Sequence, residues 1–127
     1  MLEMVAVLAR NEAIQLDSEK LADLYRQLGD NAAEDVVCRA MEELALRLAH
    51  TEKLHRGQDR QKMRKSARLI IAIAEQVGME LLARVAGDVT VCIDQRDEAA
   101  LAAVLSRLVR IGERSLTEVW DLRDLSI

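Results

Sequence analysis

The fold of this chain is decided by residues 57–78, which read GQDRQKMRKSARLIIAIAEQVG. Between the two outer glycines, apolar residues recur three and four positions apart, as they do on the buried face of an amphipathic helix. The stripe consists of Met63, Ala67, Ile70, Ala74 and Val77, widened by Leu69, Ile71 and Ile73. The opposite face consists of Gln61, Arg64, Lys65, Arg68, Ala72 and Glu75. With Asp59 as N-cap and Gly78 as stop, the pattern predicts a helix over 60–77.

Similar periodicity on both sides of this segment predicts the rest of the fold. The predicted long helices cover 32–56, 60–77, 79–94 and, after a cap at Asp97, the stretch to Leu122. Because the connections are short, neighbouring helices should run antiparallel. We therefore expect one all-α domain over residues 1–127, folded as an antiparallel up-down-up-down four-helix bundle.

One or two short helices are predicted ahead of the bundle. The first covers 1–15, and the second covers 19–28 with Asp17 or Ser18 as its cap. Gly29 ends the second, and Asp30 with Asn31 can cap the long helix that follows. Inside the last helix, Gly112 predicts a close packing contact or a bend.

Composition supports the all-α prediction and narrows the function. The 127 residues include no Pro or Phe, one Tyr and one Trp, whereas strands and their turns favour aromatic residues, Gly and Pro. A net charge of −4 argues against a dedicated nucleic-acid binder. The first residues lack a basic start and an apolar core, and no apolar run could span a bilayer. We expect a cytoplasmic protein without a membrane partner.

Residues that carry enzyme chemistry are sparse. Cys38 and Cys92 lie in apolar segments without a CxxC spacing, which indicates buried thiols in a reducing compartment. His50 and His55 have no neighbouring ligands at metal-site spacing. No glycine-rich phosphate loop and no recognisable nucleophile motif are present. The residues by themselves predict no enzyme, no cofactor and no metal.

A basic cluster stands out in this acidic chain. Between residues 53 and 68 there are seven cations against one acid, Asp59. The cations are Lys53, Arg56, Arg60, Lys62, Arg64, Lys65 and Arg68. Either this is a solvated helix face, or it binds an acidic surface of a partner protein through steering that weakens with salt. Nucleic acid is disfavoured because no aromatic residues that could stack on bases interleave with the charges.

At this point the chain resembles the histidine-containing phosphotransfer (Hpt) family. Residues 28–30, LGD, are similar to the end of the family's opening segment, and residues 57–59, GQD, are similar to its interhelix turn. Residues 68–78, RLIIAIAEQVG, fall on the motif His-x-Leu-Lys-Gly-Ser-Ala and the glycine that closes it. Residues 97–101, DEAAL, open the last helix in the family's manner. The similarity covers about residues 16–122, and it implies an Hpt-like four-helix bundle that acts in a two-component phosphorelay.

The departures from the family decide what the resemblance implies for chemistry. The phosphoaccepting His falls on Arg68, the motif Lys on Ile71 and the small Gly on Ala72. A guanidinium stays protonated and has no lone pair with which to attack a phosphoryl group. The resemblance therefore implies a pseudo-phosphotransferase without catalytic residues, which docks a response-regulator receiver domain or a histidine kinase. The docking residues would be Arg64, Lys65, Arg68, Ile71, Ala72 and Glu75.

Two alternatives remain open from the sequence. Counting back from the Gly57 turn places His50 about one helical turn from Lys65 and Arg68, so a relocated phosphohistidine at His50 could retain relay activity. Alternatively, the chain is a helical scaffold or homodimerisation module unrelated to signalling. Leu46 and Val91 lie on otherwise polar faces, with Ile71 on a flank, and would mark an interface if they clustered.

Overall fold

The computed structural model describes residues 17–126, with side chains through Asp121. Within that range the chain forms five helices and no strand, as the sequence predicts. The helices are α1 (Ser18–Leu28), α2 (Asp30–Arg56), α3 (Arg60–Gln76), α4 (Glu80–Asp94) and α5 (Glu98–Ser126). The helix predicted over 1–15 lies outside the described residues. The last helix is longer than predicted, because its regular backbone continues beyond Leu122.

Three connections of the same design join the four long helices. Each has three residues, 57–59, 77–79 and 95–97, and the middle one has a positive φ: Gln58 at 58°, Gly78 at 79° and Arg96 at 57°. The third residue of each donates its backbone N–H to a carbonyl five residues earlier, at 2.8 to 3.1 Å, which is the Schellman ending of a helix. Asp59 and Asp97 then accept the N–H groups of Lys62 and Ala100, so both predicted N-caps are confirmed.

The sequence located these turns, and Gly57 is the C-cap of α2. Gly57 adopts an ordinary right-handed conformation (φ −79°), and the left-handed position falls on Gln58. The predicted caps Asp30 and Asn31 were wrong, because both lie inside α2 and Gly29 (φ 80°) precedes it without a side-chain cap. At the start of α1 the cap is Asp17, whose carboxylate accepts the Lys20 N–H at 3.1 Å.

Gly78 also joins the first helix to the turn between α3 and α4. The Asp17 N–H donates to the Gly78 carbonyl at 2.7 Å. A Cβ on residue 78 would lie 2.7 Å from the Asp17 carbonyl oxygen, so only glycine satisfies both the positive φ and the close approach. The entrance to α1 is thereby held beside the α3–α4 turn.

The helices pack around one apolar core. In the part of the chain that is described, α3 contacts α2 and α4, α5 contacts α4 and α2, and α1 lies against α2. The largest fully buried side chains include Leu44, Met63, Ile70, Met79, Leu82, Leu101 and Leu108. Gly112 is the predicted close contact, since a Cβ there would lie 2.4 Å from Leu48 Cδ1. The architecture is an all-helical bundle.

The buried stripe of α3 was predicted correctly except at one edge. The five residues predicted for its centre are all fully buried, namely Met63, Ala67, Ile70, Ala74 and Val77. Leu69, predicted to widen the stripe, is 45% exposed. At about 100° per residue it lies roughly 120° from the centre of the buried face, next to the exposed Lys65.

Candidate partner-binding surface

The exposed side of α3 presents a cation at its midpoint. Four exposed residues lie there, each within one helical turn of the next. We call them the α3 stripe: Lys65, Arg68, Leu69 and Ala72. Arg68 points outward, as the periodicity predicts. Among the side chains described, neither Lys65 nor Arg68 has an ion pair or a hydrogen bond. Their charges are therefore available to an external anion.

Two other arginines of the basic cluster already have acidic partners. Arg64 forms a bidentate pair with Asp94 at the end of α4, with Nε–Oδ1 at 2.9 Å and Nη2–Oδ2 at 3.2 Å. Arg60 forms a bidentate pair with Glu98 at the start of α5, with Nε–Oε1 at 3.1 Å and Nη2–Oε2 at 2.5 Å. The seven cations thus do not act as one basic patch, because Asp94 and Glu98 neutralise part of it.

These pairs shift the acid–base equilibria of the carboxyl groups. The hydrogen bond from Arg64, together with the charges of Arg64 and Arg68, lowers the pKa of Asp94. The hydrogen bond from Arg60, with the charges of Arg60 and His55, lowers the pKa of Glu98. Arg68 lies one helical turn from Arg64, which bonds Asp94, so it is on the side of α3 that faces α4.

The sequence reasoning missed Asp94 and Glu98, which lie 30 and 38 residues from their arginine partners. No local spacing marks such pairs. One signal for Asp94 existed, since counting outward from the Gly78 turn sets Arg64 level with about Cys92, close to Asp94. The predicted docking residue Arg64 is therefore available only if Asp94 releases it.

A groove runs beside the α3 stripe, between α3 and α4. It has a volume of about 780 Å³, and its lining includes the predicted docking residues Ile71 and Glu75. Across from them on α4 lie Ala83, Gly87 and Val91, and Val91 is 48% exposed. Residues of both positive and negative charge border the groove, namely Lys20, Glu80, Arg84 and Asp88. Ile71 and Val91 therefore share one surface, as an interface requires.

Leu46, the third apolar residue predicted for an interface, does not line this groove. It is 67% exposed on α2, and a separate smaller groove between α2 and α3 does not include it either. The sequence reasoning also missed Trp120, which is 50% exposed on α5. Single exposed apolar residues are common on proteins, so Leu46 by itself does not define a surface.

His50, the alternative phosphoacceptor, is exposed on α2. A hydrogen bond of 2.7 Å between the buried hydroxyls of Thr51 and Ser66 fixes the register of α2 and α3. That register places His50 level with the middle of α3, as the count from the Gly57 turn predicts. Ser66 marks the side of α3 that faces α2, however, whereas Arg68 lies toward α4. Arg68 therefore lies on the flank of α3 away from α2, the helix that carries His50.

Other chemistry in the described residues is limited. No group of three or more His, Cys, Asp or Glu side chains among them is arranged to hold a metal ion. Cys92 is buried, and burial raises the pKa of its thiol, whereas Cys38 is only half-buried, contrary to prediction; both are free thiols. Nowhere in the described part is a helix both long and apolar enough to cross a membrane.

Comparison of the chain with protein-family models, with curated proteins and with solved structures gives no match. The surface itself and the resemblance in the sequence are therefore what indicate a function.

Proposed function

We propose that this chain is a degenerate Hpt-like protein that binds a receiver domain or a histidine kinase of a two-component system without relaying phosphate. In this proposal α2 to α5 form an up-down-up-down four-helix bundle, and the α3 stripe with the adjoining groove is the docking surface. The chain then acts in the cytoplasm as an adaptor, a decoy or a regulator of a phosphorelay.

The order of the helices supports this proposal. Three-residue connections join α2 to α5 in sequence, and α5 returns to contact α2. The hydroxyl pair Thr51–Ser66 and the ion pair Arg64–Asp94 join residues on opposite sides of such connections, as alternating helix directions require. These features agree with the Hpt-like arrangement that the sequence resemblance implies.

The observation that carries the proposal is the state of Arg68. The resemblance assigns the phosphoaccepting histidine to this position, and the guanidinium here is exposed and forms no ion pair or hydrogen bond with the described side chains. Receiver domains present clustered aspartates at their phosphorylation site. Arg can pair with a carboxylate or an aspartyl phosphate through two hydrogen bonds, but it cannot accept the phosphoryl group.

The groove supplies the apolar component that a protein–protein contact needs. Ile71, Ala83 and Val91 can be covered by a partner, while Glu75 and Arg84 at its border give polar contacts. Interfaces of this type combine an apolar centre with a charged rim, and the rim charges set the association rate and the salt dependence.

The direct test is binding of the purified chain to individually purified receiver domains from the same organism. We expect Arg68→Glu to abolish binding to the cognate receiver, because it sets a carboxylate against the partner's aspartates. Arg110→Glu is the matched control, since Arg110 is exposed on α5, which packs against α2 and α4. Equal affinities for the two variants would refute the α3 stripe as the docking surface.

The second test concerns phosphate relay. Incubation with a radiolabelled phosphorylated receiver should leave no label on this chain, because Arg68 cannot accept it. If label appears and His50→Ala removes it, the relocated phosphohistidine is correct and the pseudo-phosphotransferase is wrong.

A homodimer is the second candidate, favoured by the shared position of Ile71 and Val91 in the groove. Sedimentation of the wild type and of Val91→Glu distinguishes a homodimer from a receiver-binding monomer. A stable dimer that Val91→Glu dissociates, without any receiver binding, would replace the signalling proposal.

A further inference from the structure

The Arg64–Asp94 pair lies beside the unpaired Arg68 and changes what this surface can bind. Arg64 and Arg68 are one helical turn apart on the same flank of α3, so their guanidinium groups can converge on one ligand. Asp94 holds Arg64 with two hydrogen bonds, and its charge also interacts with that of Arg68. A carboxylate of the chain itself therefore takes the place that an external anion would need.

We propose that Asp94 is an internal competitor for the Arg64–Arg68 site: it lowers the affinity of every external anion, so that a phosphoryl group, which binds both arginines, fills the site more readily than a carboxylate. The inference rests on the proposed function for its biological ligand, an aspartyl phosphate of a receiver domain. The chemistry of the site can be tested without that partner.

The selectivity follows from charge and from the number of acceptor oxygens. When an external carboxylate displaces Asp94, Arg64 exchanges one singly charged, bidentate partner for an equivalent one. The gain in binding free energy is therefore small. A phosphoryl group carries about −1.5 to −2 charges at neutral pH and three acceptor oxygens, enough to bridge Arg64 and Arg68 together. Only the phosphoryl group offsets the loss of the internal pair.

The exchange requires little rearrangement. The side chains of Arg64 and Asp94 are 34% and 53% exposed, so either can turn into water when the pair opens. Exposed pairs of this kind contribute little to stability. Asp94 is the last residue of α4, where the carbonyl end of the helix already disfavours a negative charge. The pair can therefore open without disturbing the core.

The test is a titration of the whole chain with inorganic phosphate and, separately, with acetate, followed through the arginine Nε–H signals in NMR spectra. Asp94→Asn should tighten phosphate binding about threefold to tenfold and should improve acetate binding by a similar factor, because displacing Asp94 costs the same whichever anion replaces it. Glu98→Gln is the matched control, because it removes the same charge from the other bidentate pair, two turns away from Arg68.

The outcomes separate this inference from the proposed function. If Asp94→Asn and Glu98→Gln change phosphate affinity equally, or neither changes it, Asp94 is no competitor, even if receivers bind at Arg68. If no receiver binds but Asp94→Asn alone tightens phosphate binding, the inference stands and the signalling proposal fails. Where a receiver does bind, Asp94→Asn should tighten the binding of its phosphorylated form, prepared with acetyl phosphate, and of its unphosphorylated form by a similar factor.

Discussion

The two sides of α3 are built from different interactions. Toward α2 the middle of the contact is closed, because the hydroxyls of Thr51 and Ser66 are buried and hydrogen-bonded to each other. The same stretch of α2 places Leu48 directly on Gly112 of α5. The groove on the α2 side is smaller and lies nearer the start of α2. Toward α4 the apolar core is bordered by the exposed ion pairs of Arg60 and Arg64 and by an open groove.

This difference separates folding from recognition. The α2 side fixes register, because buried hydroxyls and close-packed carbons tolerate one geometry. The α4 side leaves charges and apolar atoms accessible, where they add little stability and can change partners. Substitutions on the two sides should therefore differ in what they impair, and three measurements of stability can test this.

The largest effect is expected at Gly112. Gly112→Val should destabilise the fold by about 2 kcal/mol, because the new side chain meets the buried Leu48, which must shift within the core. Gly87→Val on α4 is the matched control, since a Cβ there has no atom within 4 Å, and its stability should change by less than about 0.5 kcal/mol. Urea unfolding measures both. Equal losses would mean that the α2 side is no more tightly packed than the α4 side.

A smaller effect is expected at the hydroxyl pair. Thr51→Val keeps the shape but leaves the Ser66 hydroxyl buried without its partner, at a cost of about 1–2 kcal/mol. Thr51→Val combined with Ser66→Ala should recover most of the loss, because both polar groups are then gone. Thermal unfolding of the wild type and of the two variants measures these differences. A double variant no more stable than Thr51→Val would show that the pair does not act as a unit.

The smallest effect is expected from the ion pairs, and it should depend on pH. Because arginine lowers the pKa of Asp94 and Glu98 in the folded state, each pair stabilises the fold above the ordinary carboxyl pKa of about 4. That stabilisation is lost as the pH falls through the folded-state pKa. Asp94→Asn with Glu98→Gln should therefore unfold slightly more easily than the wild type at pH 7 and equally at low pH. If the double variant is still less stable than the wild type at low pH, the difference comes from packing and not from the ion pairs.

Much of α3 could be predicted because its signals are local. Met63, Ala67, Ile70 and Ala74 repeat with the helical period, and Asp59 caps the helix from the adjacent turn. The outward position of Arg68 follows from the same period. Leu69 was misplaced because a run of apolar residues hides the edge of the buried stripe, which only the neighbouring helices define.

The partners of the arginines could not be predicted in the same way. Whether Arg64 is available depends on Asp94, and that contact exists only once the turn at Gly78 brings α4 alongside α3. The groove likewise forms from Ile71 and Val91 on different helices. Composition and spacing describe what each residue can do, but not which residues meet.

The sequence by itself determined that this chain is helical, where its long helices turn and that a permanent cation occupies the exposed middle of α3. Helical periodicity and capping act over a few residues, so they can be read along the chain. The tertiary structure alone decided which cations remain unpaired, that Leu48 is the residue packed on Gly112 and that a groove containing Ile71 and Val91 adjoins the α3 stripe. These depend on distances between segments far apart in sequence, and such distances are fixed only when the helices pack.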